Sequence, residues 1–244
     1  HNGDLVVLVE EFDYVRNRGV ISALSFGVDD PPPRVVIDPG VHSSYPYLFE
    51  AEGEIWCIPE TYQAREVRLY RALQFPDKWE HVATPIKGLA ARDSTAILHQ
   101  GRWWMFLTDQ DAGPNTKLRI WHASRLTGEW KPHLLNPVKT DVRSSRPAGT
   151  PFVVDGVLYR PAQDCSHSYG GAIVINRVDD LTATTYTEVA VSRIEPQEYS
   201  PFPDGIHTVC AVGDTTVVDG RRDVFIAAAF RRELRSRLAR LVRS

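Results

Sequence analysis

A unit of strand, glycine turn and strand recurs along this chain and limits its fold more than any other feature. Four stretches carry it: YPYLFEAEGEIWCIPET (45–61), STAILHQGRWWMFLTDQD (94–111), TPFVVDGVLYRPAQD (150–164) and IHTVCAVGDTTVVDGRRD (206–223). The start, HNGDLVVLVEEFD, is similar to the second half of such a unit. The turn glycines Gly3, Gly53, Gly101, Gly156 and Gly213 are 50, 48, 55 and 57 residues apart. An all-strand repeat of about 50 residues is typical of β-propeller blades.

Five repeats predict an all-β, five-bladed propeller over residues 1–230, with a first blade that is incomplete at its N-terminus. A β-sandwich also contains many short strands, but the regular period favours the propeller. Helical periodicity occurs only in the tail, 231–244, where Leu234, Leu238 and Leu241 recur between six arginines. This pattern predicts one short amphipathic, basic α-helix.

Charge and composition exclude several classes of function. The net charge is −3, and the tail contributes +5, so residues 1–230 carry about −8, which argues against a nucleic-acid partner. No apolar run approaches the roughly 18 residues of a membrane span. The first residue is His1, and we expect the chain to be a fragment or a processed form. Three cysteines without a CxxC spacing favour a reducing, cytoplasmic compartment, and we expect neither a metal nor a cofactor.

Polar residues lie where the predicted first strands begin and the second strands end, and the antiparallel arrangement brings these points to one rim of the central channel. The hairpin 144–166 is the clearest case, because each of its ends carries an Arg-Pro pair. The first-strand starts provide Tyr45, Asp93, Arg146 and His207, and the second-strand ends provide Glu11, Glu60, Arg160, Gln163 and Asp164. We predict that Arg146 and Arg160 lie within reach of Asp93 or Asp164 around one water-filled pocket.

The residue types suggest roles for this rim. Paired carboxylates are the groups that hydrolyse glycosides, which makes Asp93, Glu60 and Asp164 the catalytic candidates. Glu60 has no cationic neighbour in sequence and is the better candidate for the acid. The remaining rim residues are candidates for binding substrate (Glu11, Tyr45, Arg146, Arg160, Gln163 and His207), since arginines bind anionic groups and tyrosines pack against sugars. The charged residues could instead be solvated strand ends, turn caps or a salt-bridged strand edge, and His207 could be a core histidine.

Two family resemblances add to this interpretation. ARDSTAILHQGRWWMFLTD resembles the second blade of the invertase, levansucrase and arabinanase clan of five-bladed glycosidases, and places Asp93 as the transition-state stabiliser. SYPYLFEAEGEIWCIPET, EVRLYRA, GRWWMF and SRPAGTPFVVDGVLYRPAQDCS resemble the N-terminal domain of glucosamine inositolphosphorylceramide transferase and its bacterial relatives. The second resemblance implies a propeller that works beside carbohydrate machinery, with an adjoining glycosyltransferase or other enzyme domain as a partner. The clan's acid glutamate has no counterpart, because that position reads Ser145-Arg146-Pro147.

The sequence therefore predicts a carbohydrate-binding or carbohydrate-processing propeller, an accessory domain of glycan or glycolipid synthesis that takes a sugar or glycolipid headgroup. One alternative is a glycoside hydrolase that uses Asp93 and Glu60. A second alternative is a non-catalytic interaction module whose basic tail binds a partner domain.

Overall fold

The fold was analysed in a computed structural model, which describes residues 5–27 and 31–224. Within these ranges the chain is built almost entirely of antiparallel strands, and the single 3-10 turn Tyr62–Ala64 is the helical segment found there. No helix among these residues is long and apolar enough to cross a membrane.

Five antiparallel sheets follow one another along the described chain. Sheet 1 contains β1 (Leu5–Asp13), β2 (Arg18–Phe26) and β3 (Arg34–Ile37). Sheet 2 contains β4 (Ser44–Ala51), β5 (Glu54–Glu60), β6 (Glu66–Gln74) and β7 (Lys78–Lys87). Sheet 3 contains β8 (Ala91–His99), β9 (Arg102–Asp109), β10 (Lys117–Ala123), β11 (Lys131–Pro132) and β12 (Lys139–Thr140). Sheet 4 contains β13 (Phe152–Val154), β14 (Val157–Asp164), β15 (Ala172–Leu181) and β16 (Tyr186–Ile194), and sheet 5 contains β17 (Val209–Val212) and β18 (Thr215–Val218).

The predicted turn glycines occupy the hairpin turns that join the first two strands of their sheets. Gly53, Gly101, Gly156 and Gly213 have φ angles of 75°, 73°, 80° and 55°. In the first three turns the preceding residue also has a positive φ, which is the two-residue turn that suits the twist of a β-hairpin. This prediction is confirmed. Gly3 lies outside the described residues.

The hydrophobic core consists of separate clusters between neighbouring sheets. The run WWMFL in β9 shows why: Trp103 and Met105 pack towards sheet 2, whereas Trp104 and Phe106 pack towards sheet 4. A strand that is buried on both faces needs apolar residues at successive positions, since side chains alternate between faces. These tryptophans are therefore core residues. Each sheet packs on the next, which is the arrangement of a β-propeller.

The number of blades differs from the prediction. Four sheets have at least three strands and the size of a blade, whereas the fifth unit among the described residues is only the hairpin β17–β18. Five blades are therefore not found. Sheet 1 has three strands. The predicted tail helix, 231–244, lies outside the described residues and stays a prediction.

Candidate functional site

Two first strands begin with the same backbone irregularity, and it defines the site. The pairing register shifts between Ser44 and Tyr47 in β4 and between Arg92 and Thr95 in β8. Tyr45 and Asp93 lie inside these shifts and have φ angles of 41° and 47°, a conformation that few residues other than glycine adopt. Bulges re-aim side chains, and strained backbone of this kind clusters at functional sites.

Asp93 is the centre of a buried polar cluster. One carboxylate oxygen, Oδ2, accepts hydrogen bonds from Arg146 Nε at 2.5 Å and from Gln163 Nε2 at 2.8 Å. The backbone N–H of Asp93 donates to Glu60 Oε2 at 3.0 Å. All four residues are less than a tenth exposed. Residues from sheets 2, 3 and 4 therefore meet at one aspartate. We call Tyr45, Glu60, Arg92, Asp93, Arg146, Gln163 and His207 the central cluster.

Glu60, at the end of β5, is held on both carboxylate oxygens. Besides the Asp93 amide, it accepts hydrogen bonds from Ser44 Oγ at 3.0 Å and from Arg92 Nη1 at 2.6 Å. Glu60 therefore has a cationic partner although none adjoins it in the sequence, because the fold brings Arg92 from a neighbouring strand. Burial and the nearby Asp93 carboxyl nevertheless raise the pKa of Glu60 from 4.5 to about 7.

Arg146 connects the central cluster to Tyr169, which lies between β14 and β15. Its Nη1 donates to Asn115 Oδ1 at 3.0 Å, and its guanidinium lies 4.8 Å from the centre of the Tyr169 ring. Burial alone would lower the pKa of Arg146, but the attraction of Asp93 outweighs it and holds the pKa above its ordinary value. The Tyr169 ring in turn meets the His207 ring edge to face, with 5.3 Å between the ring centres.

Tyr45 and His207 complete the central cluster. The backbone N–H of Gly149 donates to the Tyr45 hydroxyl at 2.6 Å, and burial raises the pKa of that hydroxyl well above its ordinary value. Nδ1 of His207 contacts the Asp219 carboxylate. Burial lowers the pKa of His207, while the nearby Asp93 carboxylate acts in the opposite direction.

The structure brings six of the nine predicted rim residues together and leaves three elsewhere. Glu11 accepts a hydrogen bond from Ser22 Oγ at 2.7 Å instead of facing the cluster. Asp164 pairs with Arg193 and does not reach Asp93. Consecutive strand residues point to opposite faces, so Gln163 contacts Asp93 and its neighbour Asp164 points away.

Arg160 was predicted to lie beside Asp93 or Asp164, and this is wrong. Its guanidinium binds Glu188 of β16 through Nε at 2.9 Å and Nη2 at 2.6 Å. Arg160 and Gln163 are three residues apart in β14, which is roughly 10 Å along an extended strand. Arg160 is therefore buried within sheet 4 and does not reach the rim where Gln163 lies. Arg146, by contrast, contacts Asp93 as predicted.

Two side chains near Asp93 were not among the sequence-based candidates: Arg92, which belongs to this site, and Glu10, which lies beside it. Arg92 precedes Asp93 and reaches back to Glu60, and its guanidinium lies 3.8 Å from the Tyr62 ring centre. Glu10, not its neighbour Glu11, faces the cluster: burial and Asp93 raise its pKa from 4.5 to about 7 although Arg92 opposes them. In the structure Glu10 lies two residues after the buried Leu8, on the same face of β1.

The raised pKa of Glu60 predicts that the fold loses stability as the pH rises from 4.5 to about 7. Over this window Glu60 is protonated in the folded state but ionises in the unfolded chain, so the folded state binds more protons. Glu60→Gln should flatten this pH dependence, measured as the free energy of unfolding in urea titrations. Glu129→Gln, at an exposed site, is the control and should keep the parent slope. A parent-like slope in Glu60→Gln would refute the assignment.

Other features do not add to the cluster. A groove of about 440 Å³ lies between sheets 3 and 4 near the turn residues Gln100 and Gly156, far along the strands from Asp93. The water-filled axial pocket therefore stays a prediction. The described residues contain no group of three or more His, Cys, Asp or Glu side chains that could hold a metal ion.

Solved structures confirm the propeller architecture. An exo-β-1,3-galactanase from Phanerochaete chrysosporium, crystallised with β-1,3-galactotriose, superposes with a TM-score of 0.59 at 11% identity over 78% of this chain and 47% of its own. The exo-β-1,3-galactanase of Clostridium thermocellum also gives 0.59, at 14% identity over 77% and 46%. A thermostable family-43 glycoside hydrolase gives 0.51 at 14% identity over 83% and 75%. At such low sequence identities, these structural similarities establish the fold alone.

Curated relatives share more sequence with this chain than the solved structures do. Residues 19–199 match the family model of glucosamine inositolphosphorylceramide transferase 1, N-terminal. The transferase of that name from Arabidopsis thaliana is 35% identical over 178 residues, and the one from Oryza sativa subsp. japonica is 37% identical over 164. These alignments cover 71% and 65% of this chain, but the chain spans only 23% and 22% of those proteins. The chain belongs to the family of the N-terminal domain of glucosamine inositolphosphorylceramide transferase 1.

Proposed function

We propose that the central cluster binds a sugar or the sugar part of a glycolipid headgroup. The observation that carries this proposal is the convergence of Glu60, Arg146 and Gln163 on Asp93 from different sheets. Carboxylates, a guanidinium and an amide supply the acceptors and donors that sugar hydroxyls need. The relatives are named as glycolipid transferases, so we further propose that the domain presents its ligand to an adjoining glycosyltransferase or other enzyme domain.

Binding is favoured over hydrolysis by the hydrogen bonds that the two carboxyl groups already make. Glu60 accepts hydrogen bonds on both oxygens, from the Asp93 backbone N–H at 3.0 Å and from Ser44 Oγ and Arg92 Nη1. Glycoside hydrolysis needs one carboxyl group to protonate the leaving oxygen and the other to act as base or nucleophile. The Arg146 and Gln163 contacts also keep Asp93 engaged, which suits a fixed acceptor better than a nucleophile.

Glycoside hydrolysis by Glu60 and Asp93 is the second candidate. The pKa of Glu60 near 7 supports it, because a general acid works best when its pKa is near the working pH. Incubating the protein with the oligosaccharides it binds, followed by mass spectrometry, separates the two proposals. Product formed by the parent but not by Glu60→Gln would establish hydrolysis. Unchanged oligosaccharides would support binding alone. The interaction module remains the explanation if no glycan binds.

Asp93→Asn should lower glycan affinity by at least tenfold. The change removes the charge that holds Arg146 and Gln163, whereas asparagine tolerates the positive φ of this position. The parent and variant would be compared on a glycan array of neutral, amino and uronic sugars, and then by calorimetry. Asp164→Asn is the matched control, since it also removes a buried carboxylate that pairs with an arginine, but away from the cluster. Equal affinity of folded Asp93→Asn and parent, or no glycan bound by the parent, would refute the proposal.

We also propose that the hairpin β17–β18 begins a fifth blade. In this proposal the propeller spans 1–230 and the basic segment 231–244 follows it. The turn at Gly213 matches those of the other sheets, and Gly149 forms a bridge with Val209 that joins this hairpin to sheet 4. A crystal structure with further strands paired to β18 would support it, and an unpaired β18 edge would contradict it.

A further inference from the structure

A second group of side chains lies beside the central cluster, where β1 ends and where β3 connects to β4. It consists of Glu10, Phe12, Tyr14, His42 and Tyr62, and we call it the outer cluster. The ring centre of Phe12 lies 5.0 Å from that of Tyr14 and 5.9 Å from that of His42, which lies 5.7 Å from Tyr62. Arg92 then packs on Tyr62 and binds Glu60. Contacts therefore run continuously from Tyr14 into the central cluster.

The Glu10 carboxylate keeps capacity to accept hydrogen bonds. It is 33% exposed, and its Oε1 lies 3.8 Å from His42 Nδ1. That nitrogen accepts a hydrogen bond from the backbone N–H of Gly19 at 2.9 Å, so it carries no proton for Glu10. No hydrogen bond to the Glu10 carboxylate is found among residues 5–27 and 31–224. The carboxylate is therefore available to a ligand.

Gly19 keeps the position of this carboxylate open. A Cβ atom at residue 19 would lie 2.4 Å from Glu10 Oε1 and 2.5 Å from the backbone oxygen of Ser43. Both distances are shorter than real Cβ contacts, so any larger residue would displace the Glu10 side chain. The local sequence thus allows a carboxylate to lie directly beside the aromatic rings.

We propose that the outer cluster is a second subsite, which binds a further sugar ring of the glycan held by the central cluster. Glu10 accepts hydrogen bonds from its hydroxyl groups, and Phe12 and Tyr14 pack against its C–H face. Tyr14 is 47% exposed, so a ring can reach it. Apolar rings with one well-placed charged acceptor are the usual composition of such sites. This inference rests on the proposed glycan binding.

Chain length and two point variants test the subsite. Calorimetry at a pH above 8, where Glu10 is ionised, would use the mono-, di- and trisaccharide forms of the glycan selected on the array. We expect the trisaccharide to bind the parent at least tenfold more tightly than the monosaccharide. Glu10→Gln and Phe12→Ala should each weaken trisaccharide binding about tenfold, as expected for losing one hydrogen bond to a charged group or one ring contact, and leave monosaccharide binding unchanged.

The matched controls are Glu11→Gln, one residue along on the opposite face of β1, and Phe26→Ala, an exposed aromatic at the end of β2. Both should bind all three sugars as the parent does. Equal parent affinity for mono- and trisaccharide, or equal effects of Glu10→Gln and Glu11→Gln, would overturn the subsite while leaving the central site intact. Failure of every sugar to bind the parent would overturn both proposals.

Discussion

Arg160→Ala should lower the free energy of unfolding by about 3–5 kcal/mol, the usual cost of removing one partner from a buried ion pair. Arg160 is 0% exposed and donates to both carboxylate oxygens of Glu188. It also donates to the carbonyl oxygens of Ser144 at 2.6 Å and Ser145 at 3.3 Å. Alanine would leave these acceptors buried with fewer donors. Urea unfolding monitored by tryptophan fluorescence gives the value.

The environment of Glu188 explains why the arginine matters so much. Burial raises the pKa of Glu188, but Arg160 and Lys139 together lower it by a larger amount. The net pKa lies below its ordinary value, so the carboxylate stays ionised in the folded state. In Glu188→Gln the ion pair is already lost, and adding Arg160→Ala should then cost less than it does in the parent.

Arg177→Ala is the control for this prediction, because Arg177 forms an exposed pair with Asp179 and should change stability by about 0–1 kcal/mol. A loss below about 1 kcal/mol in Arg160→Ala, equal to that of the control, would contradict a structural role. Folded Arg160→Ala, kept at low temperature, should also retain glycan affinity, because its contacts lie outside the central cluster.

Gly149→Ala should destabilise the protein by about 2–6 kcal/mol, combining backbone strain with overpacking. The φ angle of Gly149 is +110°, and a Cβ there would lie 1.9 Å from the backbone oxygen of Val209. That oxygen cannot move aside, because the segments are joined by hydrogen bonds from Val209 N to Ala148 O at 2.9 Å and from Thr150 N to Val209 O at 3.1 Å. Alanine must therefore separate β17 from sheet 4. Thermal and urea unfolding measure the loss.

Gly53→Ala separates strain from crowding. Gly53 has a φ of +75° with nothing within 4 Å of the added Cβ, so only the backbone cost of about 1–2 kcal/mol applies. Equal losses in Gly53→Ala and Gly149→Ala would show that the contact with Val209 is not tight. Loss of the Tyr45 hydrogen bond should accompany the larger effect, because the Gly149 amide donates it.

The parts of this fold that follow local rules were predictable from sequence. Tight hairpin turns need positive φ, so Gly53, Gly101 and Gly156 mark the turns directly. The run around Trp103 and Trp104 predicts a strand that is buried on both faces. The number of blades was not predictable in the same way, because within residues 5–27 and 31–224 the hairpin β17–β18 carries the glycine turn of a blade without outer strands.

The site was only partly predictable, because its pairings depend on distant strands. Asp93 and Arg146 were correctly placed together, since both stand at the starts of neighbouring units. The partner of Arg160 is Glu188, 28 residues further on, and no local pattern indicates it. Glu10 and Glu11 could not be distinguished by alternation, because the run VVLVEEF is apolar on both faces of β1 until the glutamates.

The pairwise packing of the sheets has a consequence for how the molecule opens. Among the residues that the structure describes, the cluster that joins sheet 4 to β17 contains three buried residues, Ala148, Ile173 and Ile206, whereas the cluster between sheets 2 and 3 contains fourteen. Regions with few buried contacts exchange their amide hydrogens through local rather than global unfolding. The hairpin β17–β18 would thus behave as a separate cooperative unit that detaches while sheets 2 and 3 stay folded. The contact between His207 and Tyr169 would break each time the hairpin detaches and form again when it returns. One side of the central cluster would then be exposed to solvent for part of the time.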